Sequence, residues 1–537
     1  MTSSPAAAAG VHGSSSAWDP LRVSAFRALW LAQLASMTAT WMQTVGAQWL
    51  LIDEPNASTL VALVQTMSML PVLLLALPAG VVADSFDRRR WLVVVQACTF
   101  VVAAGMTAVA ALGEMSPALL LGFTFLLGCG AALTVPAWLA IIPDLVPRDH
   151  LSAAAALGSI SINVARAVGP AAAGVLVAQA GVPVVFAFSA LSAAVLAAAL
   201  AVWGPGPAVS GDVPERFGQA LRAGARYIRH SPVTRRILLR SILFVLPGAS
   251  LWALLPLVAT ERLGLGATGF GILLGAVGVG AILGAFVLPP VRARTSSSQL
   301  IGGATLAYAV ALLVLALVRN VPLVLAVLMV AGAAWMAVLS SLGAAMQMFL
   351  PAWVRGRGLS AHTVVFVGGQ ALGAAAAGLV AQYAGLEVAF VTAAIVTGVG
   401  TATMAVWPLL DSSHLDRSTV SYWGDPGLAF EPDPDEGPVL ISLTYSVSAE
   451  HADEFLAAME RVRRSRQRTG ATRWVLYQDG ADPRRFLEAY LVPSWQEHLR
   501  QHADRLTGAD QEIEAAAVAL TDAPPEVAHL FPAHRDR

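Results

Sequence analysis

The sequence predicts an all-α membrane protein of twelve transmembrane helices in two parallel six-helix halves, followed by a small C-terminal α+β soluble domain. Three observations carry this expectation. The first is composition: 56% of the 537 residues are hydrophobic and 12% are charged, against about 25% charged in ordinary soluble domains, and the mean hydropathy is +0.66. The second is a succession of apolar runs near the roughly 20 residues that a helix needs to cross a bilayer. The third is a partition of charge concealed by a formal net charge of −1: residues 1–410 hold 20 arginines against 12 acids, and residues 411–537 hold 13 against 22. The 46 Gly and 31 Pro lie within apolar runs, which excludes collagen-like and disordered classes. Every basic residue other than histidine is arginine, a bias that points to no nucleic-acid partner. Cys98 and Cys129 sit in apolar stretches and make neither a disulfide framework nor a metal-ligand set.

In chain order, residues 1–27 read as a short cytoplasmic tail, since they lack the apolar run and cleavage site of a signal peptide. Twelve spans are expected at 28–52, 60–83, 91–112, 118–142, 151–180, 182–202, 237–260, 270–288, 300–318, 321–350, 359–384 and 388–409. They form an N-terminal half, 28–203, and a C-terminal half, 237–410, joined by an arginine-rich cytoplasmic linker loop, 204–236. A flexible linker, 411–438, rich in Asp, Pro and Gly, leads to a cytoplasmic domain, 439–537.

Arginine placement sets the orientation, because short loops rich in Arg stay on the cytoplasmic side. Arg22 and Arg27, the run Arg88, Arg89 and Arg90, then Arg148, the arginines of 216–240, Arg292 and Arg294, Arg355 and Arg357, and finally Arg417 occupy every second loop. The alternate loops hold Asp53, Glu54, Glu114, Glu261, Arg262, Arg319 and Glu387. The expectation is a multi-pass plasma-membrane protein with both termini cytoplasmic.

An internal repeat supports two halves of like orientation. PDLVPRDHLSA at 143–153 parallels PAWVRGRGLSA at 351–361, and LVAQ recurs at 176–179 and 379–382, followed by Gly181 and Gly385. Paired repeats of this kind are the architecture of secondary transporters that rock about a midplane site.

The tail alternates apolar and polar residues over 439–447, is amphipathic and helical over 449–468, gives strands at 473–478 and 485–492, and is helical from Trp495. The β-α-β-β-α order suggests a ferredoxin-like unit.

Candidate site residues follow from polar groups inside apolar spans. Gln33, Met37, Thr40, Thr44 and Gln48 recur at steps of three and four on one face of the first span. Such a stripe lines a substrate cavity or hydrogen-bonds a neighbouring helix, and both readings stand. The fifth span carries Ser152, Ser159, Asn163, Arg166 and Pro170 at similar spacing, with Gly169, Pro170 and Gly174 permitting a kink and close backbone approach. Arg166 is the charge placed deep in a span, where it must face protein or water; it holds substrate or clamps the carbonyls of a broken helix end. Asp84, Arg88 and Arg89, with Asp144 and Arg148 facing them and Arg355 and Arg357 in the second half, are candidates for gating by ion pairs. Asp84 is also placed to cap the eleventh span near Ser360. The competing reading is that these arginines only set topology.

Chemistry beyond transport finds little footing. There is no catalytic constellation, no cofactor fingerprint and no G-x-x-x-x-G-K-(S/T) phosphate loop for ATP hydrolysis. His498 and His502, four apart with Asp504 nearby, mimic metal ligands but read as packing residues, so no metal is expected. No intramembrane Asp or Glu stands ready to carry a proton; Asp53 and Glu54 at the outer end of the first span are the nearest acids.

LPAGVVADSFDRRR, 77–90, resembles the loop between helices two and three of the major facilitator superfamily, G-x-x-x-D-(R/K)-x-G-(R/K)-(R/K). Gly80, Asp84, Arg88 and Arg89 match that pattern, while Ser85 and Asp87 depart from it. LGCGAALTVPAWLAIIPDLVPRDHLSAAAALGSISINVARAVGPAAAG, 127–174, resembles the transmembrane secretion effector branch, which includes enterobactin-exporter-like pumps. Gly169, Pro170 and Gly174 resemble the superfamily's antiporter-type fifth-helix motif. With the repeat, the resemblance covers about residues 20–410. It implies export of small amphiphilic molecules, such as a siderophore, drug or secondary metabolite, with the proton as coupling ion. GATRWVLYQDGADPRRFLEAYLV, 470–492, and WQEHLRQHADR, 495–505, resemble the soluble extension of that branch, and the tail is similar to small dimeric antibiotic-biosynthesis monooxygenase domains. This implies a homodimer through the tail. The alternative is a transporter fused to a monooxygenase-like enzyme or to a ligand-sensing dimerisation domain.

Overall fold

The computed structural model describes residues 18–85, 87–203, 217–410, 415–420 and 428–533, with the side chains of 76–85, 148, 152, 217–221 and 352 left out. Its first half consists of α1 (Ser24–Leu50), α2 (Ala57–Ser85), α3 (Arg88–Ala111), α4 (Pro117–Leu145), α5 (Leu151–Ala180) and α6 (Val182–Val202). There follow α7 (Phe217–His230), α8 (Pro232–Leu257), α9 (Ala267–Arg292), α10 (Ser297–Leu317), α11 (Val321–Phe349), α12 (Ala352–Ala384) and α13 (Leu386–Ala402). Among the described residues ten helices are long and apolar enough to cross a membrane. α1 is not among them despite its 27 residues, because its Gln, Ser and Thr side chains dilute the apolar content. α13 is apolar but short.

Three local features differ from the sequence expectation. α7 is a helix inside the segment read as a loop, and α8 starts at Pro232, one turn and more before the expected 237. α12 starts at Ala352, so Ser360 lies two turns inside it and its hydroxyl donates to Gly356 O at 2.9 Å. The eleventh span therefore has no N-terminus near Ser360 for Asp84 to cap, and Asp84's side chain lies outside the described residues. Asp87, which stands where the loop motif has Gly, takes φ −57° and caps α3, its carboxylate accepting from the Arg90 N–H at 3.0 Å.

The helices divide between two compact units. The first contains α1–α6 and the greater part of the helices from α8 to α13. Here helices from the two halves touch through glycine: a Cβ on Gly174 of α5 would lie 2.6 Å from Ala267 O, and one on Gly271 of α9 would lie 2.6 Å from Pro170 O. Gly278 meets Ala167 in the same way, its added Cβ 2.5 Å from Ala167 Cα. Small residues let backbones approach where the lipid supplies no hydrophobic driving force between helices. At the end of the bundle away from Arg88, Gln382 donates to Asn56 Oδ1 at 3.3 Å and Arg262 pairs with Glu387 at 3.7 Å.

The second unit gathers α7, the start of α8, the α11–α12 junction and the chain after Thr401. Its sheet has β1 (Val439–Ser446), β2 (Arg473–Gln478), β3 (Arg485–Val492) and β4 (Glu526–Leu530) in the order β2-β3-β1-β4, with every pair antiparallel. α14 (Ala452–Thr469) and α16 (Gly508–Val518) cover one face, and α15 (Trp495–Arg500) follows β3. Strand alternation puts Ile441, Leu443, Tyr445, Phe486 and Tyr490 inward, where they meet Phe455, Met459 and Val462 of α14.

Candidate functional site

The N-terminal half encloses a cavity of about 350 Å³, lined by α1, α2, α3, α4 and α6 with Ile162 of α5. α1 contributes Gln33, Met37, Thr40 and Thr44 from the stripe, joined by Gln43. Gln65, Gln96, Thr134, Ser189 and Ser192 converge from other helices. Two bonds fix part of this wall: Gln96 donates to Thr134 Oγ1 at 3.0 Å, and Ser189 donates to Gln43 Oε1 at 3.2 Å. Several hydroxyls turn back on their own helices; Thr40 donates to Ser36 O and Thr44 to Thr40 O, both at 3.0 Å. The Oε1 atoms of Gln33 and Gln96 are buried with no hydrogen-bond partner among the described residues. An unpaired buried acceptor is costly, so each is poised to take a donor from a ligand or water. The described lining is uncharged, so the cavity suits a neutral or weakly polar molecule with both apolar surface and donors.

The remaining residues singled out in the sequence lie elsewhere. Gln48 is buried and donates across the halves to Trp252 O at 3.2 Å, the interhelical reading of the stripe. Asn163 donates to Ser159 O of its own helix at 2.9 Å. Arg166 is half-buried beside the cavity: its guanidinium carbon lies 5.7 Å from the ring centroid of Trp41, a residue that lines the cavity, and its Nε has no partner among the described residues. Trp41 touches Trp252 at 5.8 Å between centroids, and Trp252 touches Trp335 at 5.5 Å. Trp335 packs in turn on Phe244, Tyr308 and Phe366, an aromatic group within the second half. Arg166 is thus linked to the polar-lined cavity and to the aromatic group through one indole.

Arg88 and Arg89, read in the sequence as gating candidates, are held mostly by carbonyls. Arg88 donates to Ala140 O at 3.2 Å and approaches Asp144 at 4.0 Å, while Arg89 donates to Leu200 O at 2.8 Å and to Ala201 O. Arg89 therefore caps the last turn of α6, where a cation also meets the negative end of the helix dipole.

The sequence reading missed Gln43, Gln65, Gln96 and Thr134. For Gln65 and Gln96 the available signal was a lone amide in an otherwise apolar span.

Within the second unit, Glu497 of α15 is almost fully buried and pairs with Arg505 through two bonds, 2.8 and 2.9 Å, with Arg500 at 3.4 Å and with Arg226 of α7 at 3.5 Å. Burial favours its neutral form, but the Arg505 hydrogen bonds and the surrounding arginines outweigh this and hold the carboxyl below its ordinary range. Arg505 also lies 4.8 Å over Trp353 at the start of α12, and Arg417 lies 4.0 Å over Phe349 at the end of α11. His498 and His529 share a hydrogen bond of 3.0 Å, and His502 stands 4.4 Å from His498 between ring centroids. Among the described residues no group of three or more metal-ligating side chains is arranged to hold an ion.

Residues 15–537 match the transmembrane secretion effector family. The chain belongs to that family. It is a multi-pass membrane protein with the fold of the major facilitator superfamily. The chain is 26% identical to the staphyloferrin A transporter of Staphylococcus aureus over 254 residues, 47% of this chain and 63% of that one. It is 23% identical to macrolide efflux protein A of Streptococcus pyogenes over 179 residues, 33% of this chain and 44% of the relative. The matches thus span less than two thirds of these curated relatives. In structure, the chain is similar to a bacterial homologue of the human lysosomal transporter Spinster in an inward-facing, unoccupied conformation, with TM-score 0.59, 16% identity and coverage of 71% of this chain and 96% of the other. It also resembles a D-xylose-proton symporter, with TM-score 0.57, 13% identity and coverage of 72% and 98%. At such identities the likeness is one of fold.

Proposed function

We propose that this transporter exports small amphiphilic molecules, such as a siderophore, drug or secondary metabolite, by alternating access coupled to the proton gradient. The observation that carries the reading is the uncharged cavity of about 350 Å³, whose Gln, Thr and Ser donors and acceptors are set among apolar walls. The family match and the efflux and siderophore names of two relatives support the substrate class.

In this reading α1 and α13 join the ten long apolar helices to give twelve spans, six in 28–203 and six in 237–410. The arginine-rich loops face the cytoplasm with both termini, and α7 belongs to the 204–236 linker. Gln33, Thr40 and Thr44 meet substrate directly, while Gln48, Asn163 and Arg166 act on it through the helices that carry them. Asp84, Arg88, Arg89 and Asp144 govern closure of the cytoplasmic side, and Gly169, Pro170 and Gly174 permit α5 to move against its neighbours.

The tail, reached through the 411–438 linker, is a ferredoxin-like cytoplasmic domain, a reading supported by its antiparallel β2-β3-β1-β4 order. Its sheet leaves Val475, Tyr477, Leu487 and Leu530 exposed on the outer face, which supports pairing of two tails in a homodimer.

The test is accumulation of metabolites of several classes in cells with and without the protein, repeated with Gln33→Leu and Gln96→Leu. Export predicts lower internal levels of one amphiphilic class and at least a tenfold loss of that difference in the variants. Equal accumulation across all classes would refute it.

A further inference from the structure

Arginine gathers at one place in the second unit. A cleft of about 450 Å³ lies where α14 meets the end of α7 and the first turn of α8, and its wall sets Arg229, His230, Arg235, Arg463 and Arg464 against one carboxylate, Glu460. On α14 the cleft residues 460, 463, 464 and 467 recur at helical spacing along one face, beside the face that Phe455, Met459 and Val462 bury in the tail core. Arg463 and Arg464 share a single oxygen, Glu460 Oε1, at 3.3 and 3.4 Å. Arg229 and Arg235 pair with no carboxylate among the described residues. With His230 neutral, four arginines and one carboxylate leave the wall at +3. His230 feels the same field: burial first, then the charges of Arg229, Arg463, Arg226 and Arg235, hold its ring below the ordinary 6.5. Retention of arginine on the cytoplasmic side accounts for Arg229 and Arg235 beside α8. Arg463 and Arg464 lie beyond the roughly 15–20 residues from a span end over which that rule operates.

We propose that this cleft binds a phosphate group, held between Arg229 and Arg235 on one wall and Arg463 and Arg464 on the other. Phosphate oxygens match the planar guanidinium fork, and their charge offsets the surplus. A cleft lined by one sign of charge also concentrates counter-ions. Two sources carry this chemistry, the headgroup of an anionic lipid and a soluble phosphorylated molecule. Arg235 stands in the first turn of α8, two residues before Ile237 opens its apolar stretch, so the cleft borders the membrane and the lipid is favoured. A bound phosphate would tie α14 of the tail to the linker helix α7, whatever molecule the membrane helices export.

The test uses the full chain in nanodiscs and has two arms. One compares discs of phosphatidylcholine with discs that also contain phosphatidylglycerol, by hydrogen exchange of residues 226–236 and 457–468. The other adds inorganic pyrophosphate to phosphatidylcholine discs and reads binding by calorimetry and by exchange of the same segments. Phosphatidylglycerol should slow exchange in both segments by about fivefold or more. A response to pyrophosphate alone would support the same phosphate site and assign it to a soluble ligand. Arg463→Gln on one wall and Arg229→Gln on the other should each remove most of the response; both side chains are exposed, so the fold tolerates their loss. Arg461→Gln removes the same charge from an exposed position on α14 outside the cleft lining and should leave the response intact. No response in either arm, a response unchanged in Arg463→Gln and Arg229→Gln, or an equal loss in Arg461→Gln would overturn the proposal.

Discussion

Acidification from about pH 7.5 to about pH 5 should loosen the tail through its histidines before any carboxylate responds. Burial, then the charges of His502, His529 and Arg466, push His498 from its ordinary 6.5 down to about 2. Burial and the charges of Arg466 and His529 push His502 to about 3. Above pH 6.5 both rings are neutral in folded and unfolded chains alike and pH has no leverage. Below it the unfolded chain takes protons that the folded tail refuses, and stability falls by about 1.4 kcal/mol per pH unit for each ring. At pH 5 the two rings together cost about 4 kcal/mol, with burial of His529 acting in the same direction. That is a large part of the roughly 5–15 kcal/mol that holds a domain together. Glu497 and Asp510 do not blur the window. Their folded values lie below the ordinary 4.5 and 3.8, so their stabilisation is complete at pH 5 and is lost only at lower pH. The measurement is hydrogen exchange of β1, β3 and α14 amides in the full chain in nanodiscs, and protection should fall by about a thousandfold between pH 7.5 and 5 after correction for intrinsic rates. A chain carrying both His498→Phe and His502→Leu should lose most of that dependence. Constant protection in the parent chain, or the same fall in the double variant, would refute the reasoning.

Arg166→Lys keeps the charge but loses the planar group over Trp41, and transport should fall at least tenfold with normal membrane insertion; vesicle uptake against surface expression checks this, and normal transport would exclude a role in substrate handling. Gly271→Val places a side chain against α5 backbone and should lower the melting temperature of the detergent-solubilised protein, with a cost of about 3 kcal/mol or more, whereas Gly303→Ala, with open space around it, should not. Asp84→Asn should slow turnover while leaving substrate affinity within a few-fold, read from the concentration dependence of transport. A large affinity loss at normal turnover would place Asp84 in the binding machinery.

The long apolar helices were legible because a spanning helix carries its signal in its own composition, and the first three tail strands because their alternation is local. What escaped depends on partners distant in sequence. α7 is dominated by Arg222, Arg226 and Arg229, so 217–230 reads as a charged loop until Ala223 and Tyr227 become buried within the second unit. β4 is short and mostly exposed, and only its pairing with β1 defines it. The cavity was half legible. The α1 stripe is periodic and visible, but Gln65 and Gln96 are isolated amides whose convergence requires the bundle. His529 joins His498 across 31 residues by strand pairing, which no spacing rule anticipates.

Where α5 crosses α9, the surfaces in contact are nearly bare: Ala167, Ala171 and Gly174 on one helix lie against Gly271, Gly275 and Gly278 on the other. Interlocked side chains would act as gear teeth, and relative motion would require lifting each out of its socket. This seam has no teeth, so the helices can slide or pivot while dispersion contact along their backbones is kept. It has the character of a plain bearing, with low friction and little clearance. Bulk added there would strain this packing and would also jam the rocking proposed above, so transport should fall further than the lowered melting temperature alone accounts for.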